Sequence, residues 1–201
     1  MKTAEDIFVS LEEKFGATRE TLDKWAVTAV VSAGYLRNAV QFLKESADVK
    51  FEMLVDIAGI DYLTYPNHEG PRFAVSYSFK SMSQPGTRIR LKVLVGEDSL
   101  KVPTISDLFA NANWYEREVF DQFGIKFEGH PDLRRLLNHV EFVGHPLRKD
   151  YPAQKRQWLS TNDYLLPELE KRLEDLGYKI VQRSKEVGTN DNEYLEGSIK
   201  E

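Results

Sequence analysis

The chain has 201 residues, 41% of them hydrophobic and 29% charged, with a formal net charge of −5 and no cysteine. This leaves room for one domain with a sizeable core, excludes disulfides, thiolate-held zinc and thiolate-ligated iron–sulfur clusters on this chain, and argues against a general nucleic-acid binder. No run approaches the ~18 apolar residues of a membrane span, and MKTAEDIFVSLEEKFG at the start has acids where a signal peptide has its apolar run, so the chain is expected to stay in the cytoplasm.

Residues 3–15 place Ile7, Phe8, Leu11 and Phe15 at helical spacing between a Thr3 cap and Gly16, which predicts an amphipathic helix. WAVTAVVSA at 25–33 reads as a strand, and 35–47 returns to helical spacing through Leu36, Val40 and Leu43. FEMLVDIAGIDYL (51–63) is apolar enough for a buried strand, and RFAVSYSF (72–79) and TRIRLKVLV (87–95) alternate as two antiparallel neighbours. In VPTISDLFANANWYEREVFDQFG, Pro103, Thr104 and Asp107 form a helix-start signal and Gly124 a stop; the stripe between them is Leu108, Ala112, Tyr115, Val119 and Phe123. The order helix, strand, helix, three strands, helix implies an α+β fold, helices packed on one face of a mainly antiparallel sheet, with an extended C-terminal arm.

The arm is residues 125–160, where regular patterning stops. Only 131–138 suggests a short helix, with Pro131 in the first position and Asp132 at the dipole. PELEKRLEDLG (167–177) predicts another helix with Leu169, Leu173 and Leu176 inward, then a strand at YKIVQR and a polar, disordered end at 184–201. The expected division is thus an α+β domain at 1–124, the arm at 125–160 and an extension at 161–201.

Chemistry would have to come from the arm or from EREVFD on the preceding helix. His130, His139 and His145, with Asp132, Glu141 and Asp150, could supply metal ligands, but their spacing matches no ligand motif. Glu118 and Asp121 share a helix side while Glu116 and Arg117 point roughly 100° or more away, so no carboxylate pair converges; Arg117 and Asp121, four apart, are placed for an intrahelical ion pair on a solvated or docked polar face. Phosphate binding by Arg134–Arg135 and Arg148–Lys149 lacks a glycine-rich loop, and single-stranded nucleic acid would need more aromatic platforms between the charges. Docking remains. Residues 130–156 carry six Lys/Arg against three acids in an acidic chain, and a strip of this length without regular structure is uncommon unless functional or laid on a partner. The interface residues in this reading are Glu116, Arg117 and Asp121 on the helix, then His130, Arg134, Arg135, His145, Arg148, Lys149, Asp150 and Tyr151. Alternation along an extended run would turn Arg148 and Asp150 one way and Lys149 the other, making Arg148 the anchor on the partner and Lys149 a rim charge.

YEREVFDQFGIKFEGHPDLRRLL followed by GHPLRKDYP closely resembles the 30 kDa (C-type) subunit family of the proton-pumping NADH:quinone oxidoreductase, respiratory complex I; LVDIAGIDYLTYP and VPTISDLFANANWYERE resemble it as well. Gln122 stands where that family usually has an apolar residue, and AQKRQWLSTNDYLLP departs from the family's continuation. The resemblance implies a non-catalytic scaffold on the cytoplasmic side of the inner membrane, docked on a 49 kDa-type subunit near the quinone module and touching the membrane only through the complex. It implies no cofactor on this chain, FMN and the iron–sulfur clusters lying on partner subunits. Membrane-bound hydrogenases and dehydrogenases fed by ferredoxin or deazaflavin contain related subunits.

Overall fold

The computed structural model describes residues 3–20, 26–45, 49–155, 157, 160 and 162–178. Helix α1, Ala4–Phe15, begins in a capping box: the Thr3 hydroxyl accepts the Asp6 N–H, and the Asp6 carboxylate accepts the Thr3 N–H at 2.6 Å. Strands β1 (Thr18–Glu20) and β2 (Val27–Val30) and helix α2 (Leu36–Glu45) follow, then β3 (Met53–Asp61), β4 (Phe73–Lys80) and β5 (Arg88–Val95). The five strands form one sheet in the order β1-β2-β5-β4-β3, antiparallel except for β2 against β5.

Alternation decides which side of this sheet is covered. The pairs Phe73↔Val95, Val75↔Val93, Tyr77↔Leu91 and Phe79↔Ile89 put one set of side chains on one face, where they join Ile7 and Leu11 of α1, and Leu36, Val40 and Leu43 of α2, in a single core cluster. Each such leucine or phenylalanine contributes about 2 kcal/mol by leaving water. The third helix, α3 (Ala112–Phe123), adds Ala112, Val119 and Phe123 to the same cluster. It can lie close on β3 because residue 59 is glycine: a Cβ there would come within 2.4 Å of the Phe123 ring. The opposite face carries Ser76, Ser78, Lys80, Arg88, Arg90 and Lys92. The architecture is therefore α+β with its helices on one face, as the patterning predicts.

Local departures have identifiable causes. Helix α3 starts at Ala112 instead of near Thr104, because the Thr104 hydroxyl accepts the Ser106 N–H and bonds Glu116, while Asp107 pairs with Arg37 at 2.6 Å. Residues 104–111 are turns instead. Strand β3 is an edge strand, with Met53 and Val55 exposed on its open side, and is not buried throughout. The three-residue strands β6 (Lys101–Pro103) and β7 (Lys126–Glu128) pair in parallel; they are too short for alternation to announce them. Residues 131–138 are not helical.

The described chain divides into two compact units, one within residues 1–139 and 144–151, the other within 140–143 and 152–201. In the second, Val143 and Gln157 exchange two hydrogen bonds of 2.7 Å. Helix α4, Asn162–Asp175, starts five residues before the predicted one and includes Pro167. Leu169 and Leu176 are exposed rather than inward. The strand expected at 178–183 is absent at Tyr178 and otherwise falls, like the expected disorder of 184–201, outside the described residues.

Candidate docking strip and the clasp beneath it

Glu116 and Asp121, on different sides of α3, are both turned into the molecule. Both side chains are fully buried, so neither reaches the surface of this chain. Asp121 does not pair with Arg117. One of its oxygens, Oδ2, accepts the successive backbone N–H groups of Leu136, Leu137 and Asn138 at 3.1, 2.8 and 2.8 Å, while Oδ1 takes Arg135 Nη1 at 2.7 Å and the Asn138 amide at 3.1 Å. Burial pushes this carboxyl up, but the Asn138 N–H, the Arg135 guanidinium and the other donors outweigh it and hold it down at about 2. The same contacts explain the missing helix at 131–138: three amides that would bond within a helix point at Asp121 instead. Arg117 spans the gap differently, donating to the carbonyls of Arg134 and Arg135 at 3.2 and 3.3 Å.

The second half of the strip is held by the same end of α3 and by the sheet. His145 donates from Nδ1 to the Asp121 carbonyl (3.0 Å), Leu147 N–H bonds the Gln122 carbonyl (3.2 Å), and Arg148 Nε bonds the Phe123 carbonyl (2.7 Å). These are the orphan carbonyls of a helix C-terminus, satisfied here by the arm. Gly124 is required twice: its φ is +77°, and a Cβ would lie 2.5 Å from both Arg148 Nη2 and His145 Nε2. Burial, assisted by the Arg148 and Arg135 charges, pushes the His145 imidazole down, keeping it neutral.

A third cluster closes the strip onto the sheet. Asp61, fully buried at the end of β3, accepts Arg72 Nε and Nη2 at 3.0 Å each and the backbone N–H of Lys149 at 2.8 Å. Arg72 also reaches Asp150 (2.8 Å) and Glu97 (2.8 Å), and both Arg72 and Arg148 place their guanidinium groups over the Phe73 ring. Burial pushes Asp61 up, but Arg72 and the amides of Lys149 and Leu63 bring it down to about 2. Residues 144–151 thus form turns, not an extended run, with Tyr151 N–H bonding the Arg148 carbonyl and its ring against Gly144. Alternation along a strand therefore does not sort these side chains: Arg148 and Asp150 reach Phe123 and Arg72 from turns, and both Lys149 and Asp150 are exposed. The inward contacts are with this chain's own sheet and helix.

At the other end of α3, Glu116 is buried, and among the described residues no Lys or Arg pairs with it. It accepts the Ile105 N–H at 2.7 Å and bonds the Thr104 hydroxyl; His130 Nε2 lies 4.0 Å away. His130 Nδ1 accepts the Asp132 N–H (3.0 Å), so Nε2 holds the proton and faces the Asn113 carbonyl at 3.2 Å. Burial dominates here and pushes Glu116 up to about 7, against the pull of the Ile105 N–H and Thr104. The Tyr77 hydroxyl is buried nearby with no hydrogen-bond partner among the described residues, and burial and the Glu116 charge both raise it. Sequence reasoning singled out none of Asp61, Arg72 or Tyr77, and Thr104 only as part of a helix start. Only the strand-end position of Asp61 and Arg72, flanking one turn, hinted that they could meet.

Left outward by these contacts in the first unit are Arg134, Leu137, Leu147 and Lys149, with Leu137 and Leu147 65% and 52% exposed. Trp114, 61% exposed under the Arg117 guanidinium, is a further interface-type side chain that no sequence pattern singles out. Among the described residues no group of three His, Cys, Asp or Glu could hold a metal ion, and no helix is long and apolar enough to cross a membrane.

Fold and strip define an α+β subunit whose basic arm is strapped to its last sheet-packed helix. The chain belongs to the respiratory-chain NADH dehydrogenase 30 kDa subunit family, whose model matches residues 29–157. It is 41% identical to the C subunit of NADH-quinone oxidoreductase from Acidithiobacillus ferrooxidans over 152 residues, 74% of this chain and 75% of that one. With the same subunit from Burkholderia vietnamiensis it shares 42% over 154 residues, 74% and 76% of the two chains. Among solved structures it resembles a trypsin-resistant fragment (1–134) of Nqo5, with TM-score 0.58, 37% identity, and coverage of 64% of this chain and 98% of the fragment. It also resembles a chain of the membrane-bound sulfane sulfur reductase, an archaeal respiratory membrane complex (TM-score 0.59, 26% identity, 90% and 93% covered).

Proposed function

We propose that this subunit is a scaffold without reacting groups of its own, lying in the hydrophilic arm of the oxidoreductase against a 49 kDa-type subunit near the quinone module, on the cytoplasmic side of the membrane. The carrying observation is the division of labour in the strip. Arg135, His145, Arg148, Asp150 and the guanidinium of Arg117 are consumed by contacts within the chain, while Leu137, Leu147, Lys149, Trp114 and Arg134, the last beside Asp132 at 3.0 Å, present cations and apolar surface outward. Exposed Trp and Arg are the side chains that anchor interfaces, and exposed leucines are more common on interaction surfaces than on solvated ones. The trypsin-resistant fragment of Nqo5 matches only 64% of this chain, which supports a role for the remainder in contacts that an isolated subunit lacks. A cysteine-free chain holds no thiolate-ligated cluster, so electrons would pass beside it, with FMN and clusters on neighbours. The stronger identity to quinone-reductase subunits than to the sulfane sulfur reductase chain favours quinone as the complex's acceptor.

The test is purification of the native complex from membranes with cross-linking from Lys149. Recovery of Lys149 linked to a 49 kDa-type subunit is expected, in a chain that contains no stoichiometric metal by elemental analysis. A chain recovered alone, or carrying its own iron or zinc, would overturn the reading.

A further inference from the structure

The sheet face turned away from α1 to α3 holds, where β3, β4 and β5 meet, an arrangement that the clasp does not use. Register puts Met53 opposite Lys80 and Lys80 opposite Arg88, so one row across β3, β4 and β5 reads methionine, lysine, arginine; the next reads Asp56, Ser78, Arg90. Like charges directly opposite on neighbouring strands destabilise the pair, so this row works against the isolated chain. A bulge between Leu54 and Asp56 shifts the register at Val55, and bulges re-aim side chains. Val55 and Asp56 both line a groove of about 380 Å³ with Met53, Lys80, Arg88 and Arg90. Met53 and Val55 are 44% and 40% exposed. Arg90 is already engaged within the chain, bonding Ser78 Oγ at 3.3 Å, so the groove offers Lys80 and Arg88 against the Asp56 carboxylate, beside the exposed side chains of Met53 and Val55. Further along the same face the charges are settled internally, where Lys92 pairs with Glu20 and reaches Tyr62.

We infer that this end of the sheet is a second docking surface, and that its occupant is an acidic segment of a partner subunit which sets carboxylates on Lys80 and Arg88 and an apolar side chain on Met53 and Val55. The inference rests on the reading of the chain as a subunit of the complex. Charge complementarity narrows the occupant: an incoming anion relieves the Lys80–Arg88 opposition, and the exposed Met53 and Val55 beside it favour carboxylates carried on a protein segment. The chain's net charge of −5 disfavours a polyanion such as nucleic acid or an anionic lipid surface at long range, and apolar side chains between the cations suit a protein partner better than phosphates.

Two measurements on the intact complex and the full chain test it. Zero-length carboxyl-to-amine cross-linking should join Lys80 to an Asp or Glu of another subunit, a product lost in Lys80→Met. Arg88→Glu should leave the melting temperature of the isolated chain unchanged or higher, because the repulsive pair becomes attractive, yet lower its incorporation into the complex at least tenfold. Normal incorporation of Arg88→Glu, cross-links of Lys80 only within the chain, or salt-sensitive binding of anionic vesicles or oligonucleotides abolished by Arg88→Glu would each overturn the inference. If the wild-type chain joins no complex at all, the subunit reading fails instead, and the two failures are told apart by that control.

Discussion

Glu116 and Asp121 sit five residues apart on one helix, both fully buried, and lie about five pH units apart in behaviour: Glu116 is pushed up to about 7, Asp121 held at about 2. The difference is in what meets them. Around Asp121 the arm supplies three backbone amides, a guanidinium and a side-chain amide, enough to replace the lost hydration of a full negative charge. Around Glu116 there is one backbone N–H, one hydroxyl and a neutral-tautomer histidine at 4.0 Å. Burial alone thus says nothing about ionisation; the number of aligned donors decides it. One end of α3 is a charged clasp for the arm, and the other is a buried acid poised to be neutral.

The most severe way to break the contrast is to remove the clasp. Asp121→Ala strands the Arg135 charge and the amides of 136–138, and should cost on the order of 4 kcal/mol in urea unfolding. Trypsin should then cut at Arg134 and Arg135 far faster than in the parent.

The acid at the other end should show itself through pH. A raised folded value means that the Glu116 contribution is fully present below 4.5, its ordinary value, and is lost as pH rises through about 7. The loss amounts to on the order of 3 kcal/mol for a shift of this size. Glu116→Gln should therefore gain stability relative to the parent as pH goes from 5 to 8, a difference read from paired melting curves. Asp121 and Asp61 act with the opposite sign, stabilising above 3.8 and losing that contribution as pH falls through about 2. They do not interfere in that window. His145, whose lowered value makes stability fall as pH drops below 6.5, is common to both proteins and cancels in the difference.

Smaller effects test the arm residue by residue. Arg148→Ala removes the hydrogen bond to the Phe123 carbonyl and the contact over Phe73, and should cost about 2 kcal/mol by thermal unfolding. Lys149→Ala should change stability by less than about 0.5 kcal/mol, because the clasp uses only its backbone N–H and its side chain is exposed. If the two were equal, the arm would be held by diffuse charge and not by the contacts at Phe123 and Asp61.

Sequence periodicity by itself determined the elements whose partners are local or repeat regularly. The Thr3–Asp6 capping box, the alternation of 72–79 and 87–95, the C-terminal half of α3 and the left-handed stop at Gly124 all depend on neighbours within four residues or on a period of two, so they stand in the chain as written. The beginning of α3 and residues 131–138 did not, because Thr104 and the amides of Leu136 to Asn138 have two possible sets of partners, one local and one distant. Tertiary packing decided for the distant set, bringing Glu116 to Thr104 and Asp121 to the arm across 12 and 15 to 17 residues. The same holds for the basic strip. Its composition marked it as a segment made for contacts, but whether these are made to a partner or to this chain depends on where α3 and the ends of β3 and β4 come to lie. Only closing the sheet on its helices sets Asp61, Arg72 and the last carbonyls of α3 within reach of residues 144–151, and so gives the arm one side held by its own domain and one side turned outward.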